Sequence, residues 1–127
     1  MNNVDMSEWG LPHRTNYPYD APSAIELIQA VEKCIAEEIM PSSVGATKWK
    51  LRIAANALKI AVREIEGRSS HEDTLRSILS DLEAADMPDL SEKIKAGEYD
   101  DKFEMLQEKL LLIVAMKLDV ANPNHFQ

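Results

Sequence analysis

The stretch Lys48–Glu66, KWKLRIAANALKIAVREIE, decides the fold class of this chain. It contains no proline and no glycine, and apolar residues occupy most of its positions. Placed on a helix at about 100° per residue, its apolar side chains cover roughly two-thirds of the circumference. A helix that is apolar on so many sides is typically buried by several neighbours. The stretch therefore predicts the central helix of a helical bundle.

One narrow line of this helix is polar, and we term it the basic seam. Its members are Lys48, Arg52, Asn56, Lys59, Arg63 and Glu66. Arginine and lysine side chains bind phosphate or carboxylate groups, and Asn56 adds a neutral donor and acceptor. Asparagine is a mediocre helix former, and a buried amide needs hydrogen-bond partners. We therefore predict that Asn56 bonds the backbone of the C-terminal tail or of an interhelix loop, with contact to a partner protein or a ligand as the alternatives.

Helical signals continue on both sides of this stretch. A capping box at Ser23 and Glu26 begins the first helix, and Pro41 ends it. Gly67 is the predicted C-terminal stop of the second helix, Gly97 stops the fourth, and Asn122-Pro123 breaks the chain after the fifth. The predicted helices cover about residues 23–41, 47–67, 69–87, 89–96 and 100–120. No alternating strand pattern or hairpin signal occurs, so we predict an all-α, single-domain helical bundle of about five helices.

The first 22 residues differ from the rest. Residues 1–22 contain three prolines and have no helical period, which predicts an irregular N-terminal arm before a helical bundle domain at residues 23–127. Trp9, Tyr17 and Tyr19 are expected to anchor this arm by packing on its own domain.

Composition limits the classes of function. The net charge of −8 argues against nucleic-acid binding and against an anionic membrane surface as partner. No apolar run approaches the length of a membrane-spanning helix, and the first residues lack the apolar region of a secretory signal. One cysteine, Cys34, cannot form an internal disulfide. These features predict a cytoplasmic protein.

The charge is unevenly distributed. Residues 48–63 carry five bases and no acids, whereas residues 72–104 carry eleven acids and four bases. The simplest interpretation is that these charges pair within the bundle. The basic helix would form surface ion pairs with the acidic helices packed beside it.

Metal and cofactor motifs are missing from the sequence. His13, His71 and His125 have no second ligand at metal-binding spacing, so we interpret all three as surface residues. The sequence contains no glycine-rich phosphate-binding loop and no nucleophile motif. We interpret Cys34 as a small apolar residue of the core. We predict no metal, no cofactor and no catalytic residue.

Two acidic pairs provide a weaker signal. Glu83 and Asp86, and Glu98 and Asp101, have the i, i+3 spacing that places two carboxylates on one helix face, where Mg²⁺ binds through waters. All-α nucleotide pyrophosphohydrolases use such clusters. Because the chain is rich in acids and both pairs lie near helix ends, a solvated surface is the favoured interpretation.

Three phrases resemble an uncharacterised bacterial helical domain family. They are LRIAANALKIAVRE from Leu51, the ending KLDVANPNHF from Lys117, and the opening PSAIELIQAV from Pro22 with its Met40-Pro41 stop. The resemblance spans about residues 21–126, and the matching positions are Arg52, Ala54, Ala55, Asn56, Leu58, Asn122 and Pro123. Members of this family occur beside, or fused to, aminoglycoside-phosphotransferase-like kinases and acyl-CoA dehydrogenases.

The resemblance implies the enzymes with which the protein works, but it implies no activity of the protein itself. We expect a non-enzymatic accessory or interaction module that serves a kinase-like partner or an acyl-CoA dehydrogenase. The residues expected to contact a ligand or partner are Arg52, Asn56, Lys59, Arg63 and Asn122. The alternatives are a helical protein that binds or processes a phosphorylated or CoA-type ligand at the basic seam, and a Mg²⁺-dependent nucleotide pyrophosphohydrolase. The apolar excess of the second and fifth helices is also compatible with a homodimer.

Overall fold

The computed structural model describes residues 18–126, and this part of the chain is all-α, as predicted. Its α-helices are α1 (Ala24–Lys33), α2 (Gly45–Asp81), α3 (Met87–Lys95) and α4 (Phe103–Ala121). A π-helical stretch, Cys34–Ile39, extends α1, and 3-10 turns occupy Met40–Ser42, Asp100–Lys102 and Pro123–Phe126. The described residues contain no strand. None of these helices is long and apolar enough to cross a membrane.

Helix α2 is longer than predicted. The second and third predicted helices form one helix of 37 residues, so the predicted stop at Gly67 is wrong. A glycine inside a helix costs only about 1 kcal/mol relative to alanine, which does not end a helix that is packed on both sides of the glycine. A Cβ atom at Gly67 would lie 2.7 Å from Cε1 of His71. The glycine therefore leaves room for the imidazole one turn later.

The chain divides into two compact units inside α2. The first is Met1–Val62 and the second is Arg63–Gln127. Most of the predicted arm, including Trp9 and Tyr17, lies outside the described residues, whereas residues 18–22 form turns and bends. The predicted domain boundaries stay a prediction.

In the first unit, α1 begins as predicted. The Ser23 hydroxyl oxygen accepts the Glu26 N–H at 3.2 Å, which confirms the predicted cap. Ile25 and Ile28 of α1 and Ile35 of the π-helical stretch are half-buried, and no residue of α1 is fully buried.

The prediction that Lys48–Glu66 is enclosed on several sides is wrong. Of its residues only Ala55 and Val62 are buried, whereas Trp49 and Ile53 are 60% and 54% exposed. The apolar surface of this helix therefore exceeds what the described residues cover.

The second unit holds the main hydrophobic core. Its buried members come from the end of α2, from α3 and α4, and from the loops on either side of α3: Ile78, Leu82, Ala84, Leu90, Tyr99, Leu106 and Ile113. Arg63 contacts Val120 and Asp81 contacts Lys109, so this part of α2 runs antiparallel to α4. Leu90 places α3 on the same core and is only 1% exposed.

A Schellman motif ends α2. The N–H groups of Ala84 and Glu83 donate to the carbonyls of Leu79 and Ser80 at 2.9 and 3.1 Å. Glu83 has a φ of +56°, in the left-handed position that glycine normally occupies. The Tyr99 hydroxyl donates to the Leu82 carbonyl at 2.8 Å. The end of α2 is therefore held by both local and long-range hydrogen bonds.

Replacing Glu83 by glycine should stabilise the protein. The left-handed conformation costs a non-glycine residue about 1–2 kcal/mol, and the Glu83 side chain is exposed, so we expect Glu83→Gly to raise the free energy of unfolding by about 1 kcal/mol. Denaturant unfolding followed by circular dichroism measures this change. Glu83→Ala is the control, because it removes the same carboxylate without relieving the backbone. If the glycine and alanine variants have equal free energies of unfolding, the left-handed backbone at Glu83 does not destabilise the protein.

Candidate functional site

The structure places four of the five predicted contact residues on α2. Arg52, Asn56, Lys59 and Arg63 lie within an arc of about 60° on this helix. Asn122 directly follows α4. The first three residues belong to the first unit, and Arg63 and Asn122 belong to the second.

Lys59 is engaged inside the first unit. Its Nζ lies 3.5 Å from Oε1 of Glu32, so α1 and α2 are joined by an ion pair. The Lys59 side chain is 58% exposed and the Glu32 side chain is 20% exposed, so the lysine end of this ion pair is open to solvent and the carboxylate end is half-buried.

Arg63 has a structural contact in the second unit. Its Nε donates to the carbonyl of Val120 at 2.7 Å. This carbonyl belongs to the last turn of α4, where helical carbonyls lack intrahelical partners and the helix dipole favours a cation. Arg63 thus bonds the backbone of the last turn of α4 within the second unit.

Removing the Arg63 guanidinium should weaken the second unit. A hydrogen bond from a charged donor contributes about 1.5–3 kcal/mol, so we expect Arg63→Ala to lower the free energy of unfolding by about 1–2 kcal/mol because the site is partly buried. Chemical denaturation measures this loss. Arg68→Ala is the matched control on the same helix, since the ion pair that Arg68 forms within residues 18–126 is with exposed Glu64. Equal losses in the two variants would contradict the capping role.

Asn122 ends α4 through its backbone. Its N–H donates to the Leu118 carbonyl at 2.8 Å, and its own carbonyl accepts the His125 N–H at 3.1 Å. Pro123 follows, as the predicted break at Asn122-Pro123 requires. The Asn122 side chain is exposed, so its predicted contact role stays a prediction.

Arg52 and Asn56 point outward. Both are exposed, and neither side chain forms a hydrogen bond or ion pair with another described residue. The Asn56 amide therefore has no backbone partner within the described part of the first unit, and its predicted bond to the C-terminal tail, which belongs to the second unit, stays a prediction. Two members of the basic seam remain available for an external contact.

Apolar residues accompany them on the same side of α2. Ala46, Trp49, Ile53, Asn56 and Ile60 are spaced 3, 4, 3 and 4 residues apart, and we term this set the heptad face. Such spacing forms one seam along a helix that packs against another helix. All of its members are exposed except Ile60, which is half-buried. Sequence reasoning assigned the apolar members to the core, whereas the structure leaves them exposed or half-buried.

The second unit contains a histidine that sequence reasoning placed on an ordinary surface. His71 Nε2 lies 3.4 Å from Oδ2 of Asp119 on α4, and the His71 side chain is only 26% exposed. The ring rests against Gly67, as described above. Sequence reasoning missed this pair because Asp119 is distant in sequence.

His71 also lines a groove of about 660 Å³ between α2 and α4. Leu75, Ile113 and Met116 give it an apolar floor. Its rim carries charges of both signs, from Arg68, Lys117, Glu64 and Glu72. The rim therefore does not select a ligand by charge.

The acidic pairs are partly used by the fold. Asp86 caps α3, because its Oδ1 accepts the Asp89 N–H at 2.8 Å. Glu83 occupies the left-handed position after α2. Within residues 18–126, no group of three His, Cys, Asp or Glu side chains is arranged to hold a metal ion.

Comparison with known proteins gives one match. The family described as "Domain of unknown function (DUF6285)" matches residues 41–125, which is more than half of the 127-residue chain. No curated protein and no solved structure matches the chain.

Proposed function

We propose that this protein, which belongs to the DUF6285 family, is a non-enzymatic interaction module. In this proposal it serves a phosphotransferase-like or acyl-CoA-metabolising enzyme and binds it through α2. The observation that carries the proposal is the exposed heptad face, on which Trp49 and Ile53 are more than half exposed. Large apolar side chains gathered on one surface are typical of protein interaction sites.

The residue types of this surface support a protein contact. Tryptophan and arginine are enriched among the residues that dominate binding energy, and Trp49 and Arg52 lie one turn apart. Asn56 lies beside them with its amide exposed. Apolar anchors with adjacent polar groups provide both affinity and orientation.

The predicted contact residues take different parts in this proposal. Arg52 and Asn56 contact the partner directly, and Lys59 does so through its exposed ammonium group, which also pairs with Glu32. Arg63 holds the end of α4 and supports the second unit. The kinase-like or dehydrogenase class of the partner is supported by the family resemblance alone.

Native mass spectrometry of the tagged full-length chain, isolated gently from its own host, tests this function. We expect an enzyme of one of these two classes to be retained at a defined stoichiometry. An Ile53→Asp variant should lose that enzyme, because a carboxylate enters the apolar seam. A bare chain that carries a phosphorylated or CoA-type adduct would contradict the proposal and favour a ligand site at the basic seam.

A further inference from the structure

We infer that the element docking on the heptad face is an acidic amphipathic helix of the partner. This inference rests on the proposed interaction function and specifies the partner's chemistry. It follows from the spacing of the apolar residues, from the charges beside them and from the position of Asn56.

The spacing points to a helix as the docking element. From Ala46 to Ile60 the heptad face runs along α2 for about 21 Å, at 1.5 Å per residue. Residues spaced 3 and 4 apart accept the side chains of a second helix between them, with an interaxial distance of about 8–10 Å. A flat or irregular partner surface would not need this regular repeat.

The charges beside the face select an acidic helix. In the heptad that contains the face, Lys50 lies on one flank and Arg52 and Lys59 lie on the other. No aspartate or glutamate occurs in α2 between Gly45 and Arg63. Lys50 and Arg52 form no ion pair with a described residue. Flanking charges set partner choice in paired helices, so Lys50 and Arg52, which have no anion beside them among the described residues, require carboxylates opposite them.

The same charges disfavour a second copy of this chain. A second α2 helix would bring its own lysines and arginine to the same flanks, and like charges at these positions repel. The net charge of −8 on the whole chain disfavours an anionic lipid surface or a nucleic acid, because these polyanions extend well beyond the few flanking cations. Charge complementarity therefore favours an acidic protein helix.

Asn56 adds a requirement on register. It is the polar member of the heptad face, between Ile53 and Ile60. A polar residue at a seam position fixes the alignment of two helices, because a shifted partner would bury its amide without a hydrogen bond. The docking helix thus carries a polar side chain opposite Asn56.

Two synthetic helical peptides test the inference with the full-length chain. Both carry leucine at the seam positions and one asparagine opposite Asn56, and they differ only in having glutamate or lysine at the flanking positions. Fluorescence anisotropy should show the acidic peptide binding at least about tenfold more tightly than the basic peptide. The double variant Lys50→Glu and Arg52→Glu should reverse this preference.

Several results would overturn the inference. These are equal binding of the two peptides, no binding of either, and a dimer in analytical ultracentrifugation that Ile53→Glu dissociates. Binding of the chain to vesicles containing phosphatidylserine, with no peptide binding, would do so as well. If a host enzyme is retained but neither peptide binds, this inference is wrong and the proposed function stands. If the acidic peptide binds but no host enzyme is retained, the proposed function is wrong and the preference of this face for an acidic helix stands.

Discussion

Leu90→Ala should lower the free energy of unfolding by about 2–5 kcal/mol, because it removes a buried leucine and leaves a cavity. Leu90 is 1% exposed and joins α3 to the core of the second unit. The cap at Asp86 and the turn at Gly97 fix the two ends of this short helix, so it cannot easily shift to fill the cavity. Urea unfolding followed by circular dichroism measures the loss.

Leu111→Ala is the matched control for Leu90→Ala. Leu111 is the same residue type on an α-helix but is 60% exposed, so its truncation should change stability by less than about 1 kcal/mol. Hydrogen exchange should show faster opening of the amides of α3 in Leu90→Ala and not in Leu111→Ala. Similar losses in both variants would contradict the placement of α3 on the core.

Local signals in the sequence predicted several features of the fold. The cap at Ser23, the stop at Gly97 and the break at Asn122-Pro123 each depend on residues within one or two turns. Such features are readable because the side chain and the backbone group that it satisfies are close in sequence. The all-α class followed from helical periodicity in the same way.

The continuity of α2 could not be read from local signals. Gly67 resembles a C-terminal stop, yet here it makes room for the His71 ring. His71 in turn contacts Asp119, which lies far away in sequence. The end of the helix instead lies near Glu83, where no glycine marks it and Tyr99 supplies a distant hydrogen bond. Contacts between residues distant in sequence thus accompany both the continuation of α2 through Gly67 and its end near Glu83.

The candidate site was predicted in part. The sequence identified the polar line that contains Arg52 and Asn56, because helical spacing alone places them together. It did not separate Arg63 from them, although Arg63 bonds the end of α4. Periodicity finds the residues that share a face, but it cannot tell whether that face is covered by the same chain or by another.

Trp49→Ala should weaken binding of the retained host enzyme by about 30-fold or more, since truncating a central aromatic residue commonly costs at least about 2 kcal/mol. The variant should fold normally, because Trp49 is 60% exposed and lies outside the buried core. Titration of the purified enzyme against wild-type and variant chains by isothermal calorimetry measures the change.

Phe103→Ala provides the matched control for Trp49→Ala. Phe103 is 62% exposed on α4 and does not belong to the heptad face, so its truncation should leave the affinity unchanged. If both aromatic truncations weaken binding equally, exposed apolar area in general attracts the enzyme and the heptad face has no special role. If only Trp49→Ala weakens it while both variants keep the wild-type unfolding free energy, the contact is located on α2. The loss then measures recognition at this face and not damage to the fold, because a destabilised chain would also unfold at lower denaturant concentration.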